Sequence, residues 1–298
     1  MNTELFEIVS NYIVLPDIQY LLADGMDLHL DIYLPRDNVH LDPTDLTKLN
    51  PIKGLPTVVF FHGGGWVEGS KGGSALQFLP YLSKGFSVVN VQYRLGGHSR
   101  APAAVEDVRS AVWWVKRNAE KYGFDPEKLI LTGQSAGGHL ALLAGMLPAS
   151  EGFDSQCPAL TAPSDVMNCT NAYLPELQVA AIINWAGVTD VHDLITVPNQ
   201  RSYALNWLGS SEQRELIAKR VSPLRYVRKG LAPILTLHGD EDVVVPYDHA
   251  VRLHESLDRV EVPNQLHTIK GKEHFDFSSD DLKEAYNQID DFLTRYVL

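Results

Sequence analysis

The sequence predicts an α/β fold with a mostly parallel central sheet and helices on both faces. Three observations carry that reading: an alternating hairpin near the start, a series of short apolar runs after it, and 3.6-residue apolar periodicity between those runs. The chain has 298 residues, 45% of them hydrophobic and 21% charged, enough for one large core without a metal or disulfide staple. A single domain over residues 1–298 is therefore expected.

The elements follow in order. Residues 18–22 and 28–34 flank Asp24-Gly25, a dipeptide suited to a tight turn, and Leu28, Leu30, Ile32 and Leu34 alternate with polar or exposed partners. Residues 57–61, 87–91, 129–131, 179–185, 234–237 and 265–270 then read as strands, most of them apolar throughout, as parallel strands covered on both faces should be. Pro102 stands at the first turn of a helix whose Val105, Val108, Val112 and Val115 share one face, and Gly123 follows its end. Residues 136–146 form an apolar helix, and residues 280–296 place Leu282, Tyr286, Ile289 and Phe292 on one stripe.

Two segments break the alternation. Residues 148–177 are rich in Pro, Ser, Asn and Cys and follow a helix, which puts this loop insertion at the sheet edge away from the strand C-termini. Residues 188–230, with a helix expected over 211–221, follow a strand and should overhang the edge where sites form, as a lid or cap.

Composition narrows the function classes. Against 25 Lys and Arg stand 37 Asp and Glu, a net charge of −12, which disfavours a nucleic-acid partner because such binding rests on basic contacts to phosphates. The first residues carry Glu4 and Glu7 rather than a basic start and an apolar core, so a cytoplasmic location is expected. No membrane association is expected either, since Gly133, Ser135, Gly137, Gly138 and Pro148 interrupt the long uncharged stretch after Lys128. Cys157 and Cys169 form no disulfide framework and read as reduced thiols, with a local pair as the alternative. Neither C-x-x-C nor His-Glu-x-x-His is present, so neither metal nor cofactor is expected.

The chemistry lies in two glycine-rich motifs. Gly133-Gln134-Ser135-Ala136-Gly137 stands between the strand at 129–131 and the helix at 136–146, the strand–turn–helix setting that exposes a strained serine. His62-Gly63-Gly64-Gly65-Trp66 follows the strand at 57–61, where glycine N–H groups can approach a developing oxyanion. His62 itself suits a loop-fixing role better than that of a base. A serine hydroxyl needs an imidazole to take its proton, and that ring needs a carboxylate to hold its tautomer. His274, just after the strand at 265–270, best suits the base, ahead of His238, His139 and His267. For the acid, Asp242, Asp240 and Asp190 all lie near strand ends.

Together with His238-Gly239-Asp240-Glu241-Asp242 and His274, these motifs resemble the α/β-hydrolase esterases, specifically the hormone-sensitive-lipase-like group and its bacterial acetyl- and feruloyl-esterase-like relatives. Tyr93-Arg94, Pro102-Ala103-Ala104 with Glu106-Asp107, and the segment Ser222-Pro223-Leu224-Arg225-Tyr226-Val227 extend the resemblance from about residue 56 to the C-terminus. It departs from the pattern in a short N-terminus and in the insertion at 148–177. The resemblance implies Ser135 as nucleophile, Asp242 as acid and His274 as base, with oxyanion donors at Gly63, Gly64 and Ala136.

The implied activity is hydrolysis of small-molecule carboxylic esters of short to medium acyl chain, without a cofactor. Alternatives within the same chemistry are an acetyl or feruloyl esterase on plant polysaccharide and an arylformamidase-like amide hydrolase. A peptidase of the prolyl-oligopeptidase type would need a β-propeller for which the chain has no room, and a ligand-binding receptor on an esterase scaffold would lack His274. Trp66, Trp185 and Trp207, with Tyr203, are candidates for the substrate pocket. The oligomeric state is not legible.

Overall fold

The computed structural model describes residues 10–42, 45–154 and 176–298. Cys157, Cys169 and most of the insertion at 148–177 lie outside the described residues. Ten strands are described: β1 (Tyr12–Ala23), β2 (Met26–Pro35), β3 (Val39–Asp42), β4 (Asp45–Pro51), β5 (Leu55–Phe61), β6 (Ser87–Val91), β7 (Phe124–Gln134), β8 (Ala181–Trp185), β9 (Ile234–Gly239) and β10 (Asn264–Ile269). The helices among them are α1 (Ala75–Ser83), α2 (Ala103–Arg117), α3 (Ala119–Tyr122), α4 (Ala136–Met146), α5 (Ser202–Leu208), α6 (Arg214–Arg220), α7 (Asp248–Arg259) and α8 (Ser279–Tyr296).

Eight strands form one sheet in the order β1-β2-β6-β5-β7-β8-β9-β10, antiparallel at β1-β2 and β2-β6 and parallel from β6 to β10. The chain steps outward from β5 to β6 and then returns to place β7 on the other side of β5. Loops leaving β5 and β7 therefore diverge over a crevice at their C-terminal ends, where doubly wound sheets place their sites.

The β1-β2 hairpin turns on Asp24 and Gly25, both at positive φ (51° and 72°), which matches strand twist. It is longer than the alternation alone predicts, because Pro16 falls at a register shift in an edge strand, where a missing N–H is tolerated. In β5, Val59 and Phe61 point to one core while Val58 and Phe60 point to the other. Coverage on both faces is why the run shows no alternation. Helices α2, α4 and α7 cover the first face, and α1 and α8 the second.

Val105, Val108, Val112 and Val115 of α2 are all fully buried. Helix α8 starts on a capping box between Ser278 and Asp281, but its buried stripe is Ala285, Ile289, Phe292 and Leu293. Ile289 and Phe292 lie on the expected stripe and Tyr286 packs at its border, its hydroxyl donating to the Gln77 carbonyl at 2.9 Å; the correction is Leu282, which faces solvent in the first turn. Within residues 188–230 the helix expected over 211–221 is present as α6, and a second short helix, α5, precedes it.

The Arg94 and Asp107 positions noted in the sequence form a buried tie between β6 and α2. Arg94 donates to both carboxylate oxygens of Asp107 (Nη2–Oδ1 2.7 Å, Nε–Oδ2 2.9 Å), and its main-chain N–H adds a bond at 2.8 Å. Arg94 also pairs with Asp24 and Glu106 nearer the surface, but Asp107 is its fully buried partner, so losing it leaves the guanidinium under-paired in the interior. Asp107→Ala is expected to cost about 3–5 kcal/mol in a urea titration. A loss below about 1 kcal/mol would show that Asp24 and Glu106 suffice to pair Arg94.

Candidate active site

Four strand ends converge on one edge of the sheet. The loop after β5 carries His62 to Trp66, with Gly64 at φ 116° and Gly65 at φ 55°. The Gly64 carbonyl accepts from the N–H groups of Val67 and Glu68, both at 3.0 Å, which folds the loop back on itself. His62 donates from Nδ1 to the Gly63 carbonyl at 2.8 Å and stacks on Tyr93 with ring centres 4.2 Å apart. Burial holds the His62 ring down at about 4, so it stays neutral. Because a peptide plane sets C=O and N–H opposite each other, pinning the Gly63 carbonyl aims the Gly64 N–H away from that ring. A Cβ on Gly63 would sit 3.0 Å from the Gln134 carbonyl oxygen, so glycine here lets the loop lie against the serine elbow.

Ser135 occupies that elbow between β7 and α4 at φ 56°, ψ −117°. Strain of this kind persists only where the surroundings hold it. Here the Ser135 N–H donates to the Trp185 carbonyl at 2.8 Å, and the Ser135 carbonyl accepts from the His139 N–H at 3.0 Å. A Cβ on Gly137 would approach the Phe61 carbonyl oxygen to 2.0 Å, which accounts for the second motif glycine. Ala136 opens α4, where the first N–H groups have no helical acceptor.

Asp242 follows β9 and His274 follows β10. Asp242 Oδ1 accepts from the N–H groups of Val244 (2.8 Å) and Val245 (2.9 Å), while Oδ2 accepts from His274 Nδ1 at 2.6 Å. Burial pushes the Asp242 carboxyl up. The hydrogen bonds from His238 and His274, the His274 charge and the Val245 N–H outweigh that effect and hold it well below the usual carboxylate range. The other two candidate acids are engaged elsewhere: Asp190 pairs with Arg252 at 2.9 Å, and Asp240 accepts from the Gly271 N–H at 2.6 Å.

Ser135, His274, Gly63 and Gly64 line one cavity of about 420 Å³, together with Glu68, Gln77, Tyr203, Val244 and Phe275. Among the described residues no hydrogen bond joins the Ser135 hydroxyl to His274. Catalytic bonds of this type are often long before substrate arrives. Tyr203, from α5, is held by its hydroxyl donating to the Val244 carbonyl at 2.9 Å.

The three tryptophans expected in the pocket are corrected. Trp66 and Trp207 are fully buried and stack on each other with ring centres 4.2 Å apart. Trp66 Nε1 also donates to His139 Nδ1 at 3.0 Å, and His139 Nε2 to the Val221 carbonyl at 2.7 Å. Trp185 lies on the opposite face of the sheet against Tyr286 and Phe277. None of the three lines the cavity. Their role is packing: the Trp66–Trp207 stack fastens the glycine loop to residues 188–230.

Among the described residues no group of three or more His, Cys, Asp or Glu side chains could hold a metal ion, and no helix is long and apolar enough to cross a membrane.

A mostly parallel eight-stranded sheet with a serine elbow after β7 defines an α/β-hydrolase fold. The chain belongs to the BD-FAE family, whose model matches residues 30–257. It is similar to esterase LipC of Mycobacterium tuberculosis, at 28% identity over 70% of this chain and 49% of the relative. It is also similar to the isoprenylcysteine α-carbonyl methylesterase ICME of Arabidopsis thaliana, at 26% identity over 88% of this chain and 57% of the relative. The chain thus spans about half the length of the curated relatives it matches. Among solved structures, a thermophilic esterase from the planctomycete Thermogutta terrifontis superposes with a TM-score of 0.72 at 26% identity, covering 96% of this chain and 93% of that one. A structure of esterase 2 from that organism phosphorylated by paraoxon gives 0.71 at 25% identity, over 96% and 95%.

Proposed function

We propose that the protein hydrolyses small-molecule carboxylic esters through an acyl-enzyme, with Ser135 as nucleophile, His274 as base and Asp242 as the acid that orients it. The observation that carries this reading is the 2.6 Å bond from His274 to Asp242 on the wall of the cavity that Ser135 also lines. Esterase relatives and an organophosphate-modified structural neighbour support it.

In the first half-reaction Ser135 Oγ adds to the ester carbonyl as His274 Nε2 takes the hydroxyl proton. Asp242, fixed by two main-chain N–H groups, stabilises the imidazolium. The N–H groups of Gly63, Gly64 and Ala136 receive the oxyanion. Collapse expels the alcohol, which takes the proton from His274. Water then adds to the acyl-enzyme with the same histidine as base, and release of the acid regenerates Ser135.

A cavity of about 420 Å³ walled by Tyr203, Val244 and Phe275 suits a short to medium acyl chain. Residues 188–230 act as a small lid, since they bring Tyr203 to the cavity and are fastened to the glycine loop through Trp207. A p-nitrophenyl ester chain-length series, run beside acetylated xylan, methyl ferulate and N-formylkynurenine, tests the reading. Turnover of the short esters is expected, and no turnover of any of these substrates would overturn it.

The pH dependence follows from the geometry. Asp242 is held below the usual carboxylate range, so it stays ionised until strongly acid pH and its contribution is lost only there. The acid limb of kcat/KM therefore belongs to a single imidazole: log(kcat/KM) should rise with slope one and then level. A slope of two would contradict a single imidazole as the group that titrates on this limb.

A further inference from the structure

The buried histidine at the end of β9 is not part of the triad, yet it touches the triad's acid. We propose that His238 is a positioning residue for Asp242, acting as a neutral Nε2–H imidazole that fixes the rotation of the carboxylate so that Oδ2 meets His274. The proposal rests on the triad reading above.

Nε2 of His238 lies 3.0 Å from Asp242 Oδ2 and 3.1 Å from the Val245 carbonyl oxygen. Both neighbours accept hydrogen bonds only, so Nε2 carries the proton and donates. Nδ1 is buried and has no hydrogen-bond partner among the described residues. A proton there would sit unpaired in the interior, which favours the Nε2–H tautomer. The ring is fully buried and packs edge-on against Tyr247 with centres 5.6 Å apart.

Asp242 thus receives two main-chain donors on Oδ1 and two imidazoles on Oδ2. The two main-chain donors hold Oδ1, and His274 alone would hold Oδ2; a second donor on Oδ2 narrows the libration that the broad χ2 well still allows. A neutral second donor removes that freedom without adding a positive charge that would disfavour the His274 imidazolium. The other polar groups packed here leave this arrangement intact: Arg201 donates to the Val243 and Val244 carbonyls, Tyr203 to the Val244 carbonyl, and the Tyr247 hydroxyl bonds Thr268.

The test uses p-nitrophenyl butyrate with His238→Phe, which keeps ring bulk without the donor, and His238→Gln, whose amide N–H can reach the place of Nε2. The Phe variant is expected to lose about 10–100-fold in kcat with KM within about threefold of wild type, the scale of one hydrogen bond to a charged group. Its acid limb should move to lower pH, because a carboxylate less well aimed at His274 holds the imidazolium less tightly. The Gln variant should recover most of kcat and return the limb. Wild-type kcat in His238→Phe, or equal losses in both variants with an unmoved limb, would overturn the proposal. If the Phe variant does not fold, the Gln variant decides alone: near-wild-type kcat supports the role, and a loss of about 100-fold or more overturns it. Ser135→Ala run alongside separates the two layers. Turnover that survives it overturns the triad reading, whereas its loss beside a wild-type His238→Phe overturns only the role of His238.

Discussion

Ser135→Ala is expected to lower kcat by about 10⁴-fold or more, with KM little changed, because in the proposed mechanism its hydroxyl bonds to the substrate carbon. The residual rate would come from the cavity and the oxyanion donors, which the substitution leaves in place. Alanine removes one oxygen from an elbow whose main chain is held by Trp185 and His139, so the fold should survive, as a matched thermal transition would show. Fractional activity above about one-tenth of wild type would reject Ser135 as nucleophile. The result speaks to chemistry rather than stability.

Gly64→Ala should have the second-largest effect. Gly64 has φ 116°, a conformation L side chains rarely adopt, and a Cβ there would lie 2.2 Å from the main-chain oxygen of Glu68. The loop must open to admit the methyl group, and the Gly64 N–H would move from the place proposed for the oxyanion. Loss of one such donor costs about 10²–10³-fold in kcat. Gly97→Ala is the control, since nothing lies within 4 Å of a Cβ at that exposed glycine. It should leave turnover within about twofold of wild type. Equal, small effects at Gly64 and Gly97 would show that the loop after β5 does not supply the oxyanion donors.

The parts of this site that were legible in the sequence are those encoded by neighbouring residues. Gly133 to Gly137 specify the elbow because the glycines are needed where main chains meet, at Phe61 and beside Ser135. The apolar strand runs were legible because both faces of the sheet are covered. What a linear pattern could not reveal depends on distant partners. Trp66 looks the same in sequence whether it faces substrate or, as here, stacks on Trp207 from a segment far along the chain. His238 reads as a turn residue until β9 and the loop after it bring its ring onto Asp242. Helix α7 escaped notice because its buried face includes His249 and His254 among Ala250, Leu253 and Leu257, so an apolar count understates it. In α8 the periodicity holds for Tyr286, Ile289 and Phe292 but not for Leu282, which lies in the first turn, short of the core that Ala285 and Ile289 reach.

The central claim is that Ser135 is the group His274 and Asp242 activate. Paraoxon treatment followed by peptide mapping tests it most directly, since an organophosphate reports an activated serine without needing the natural ester. A single adduct on Ser135, absent from Ser135→Ala and strongly slowed in His274→Ala, is the result this account requires. Wild-type protein that inactivates with the label on another residue, or labels equally fast without His274, would contradict it.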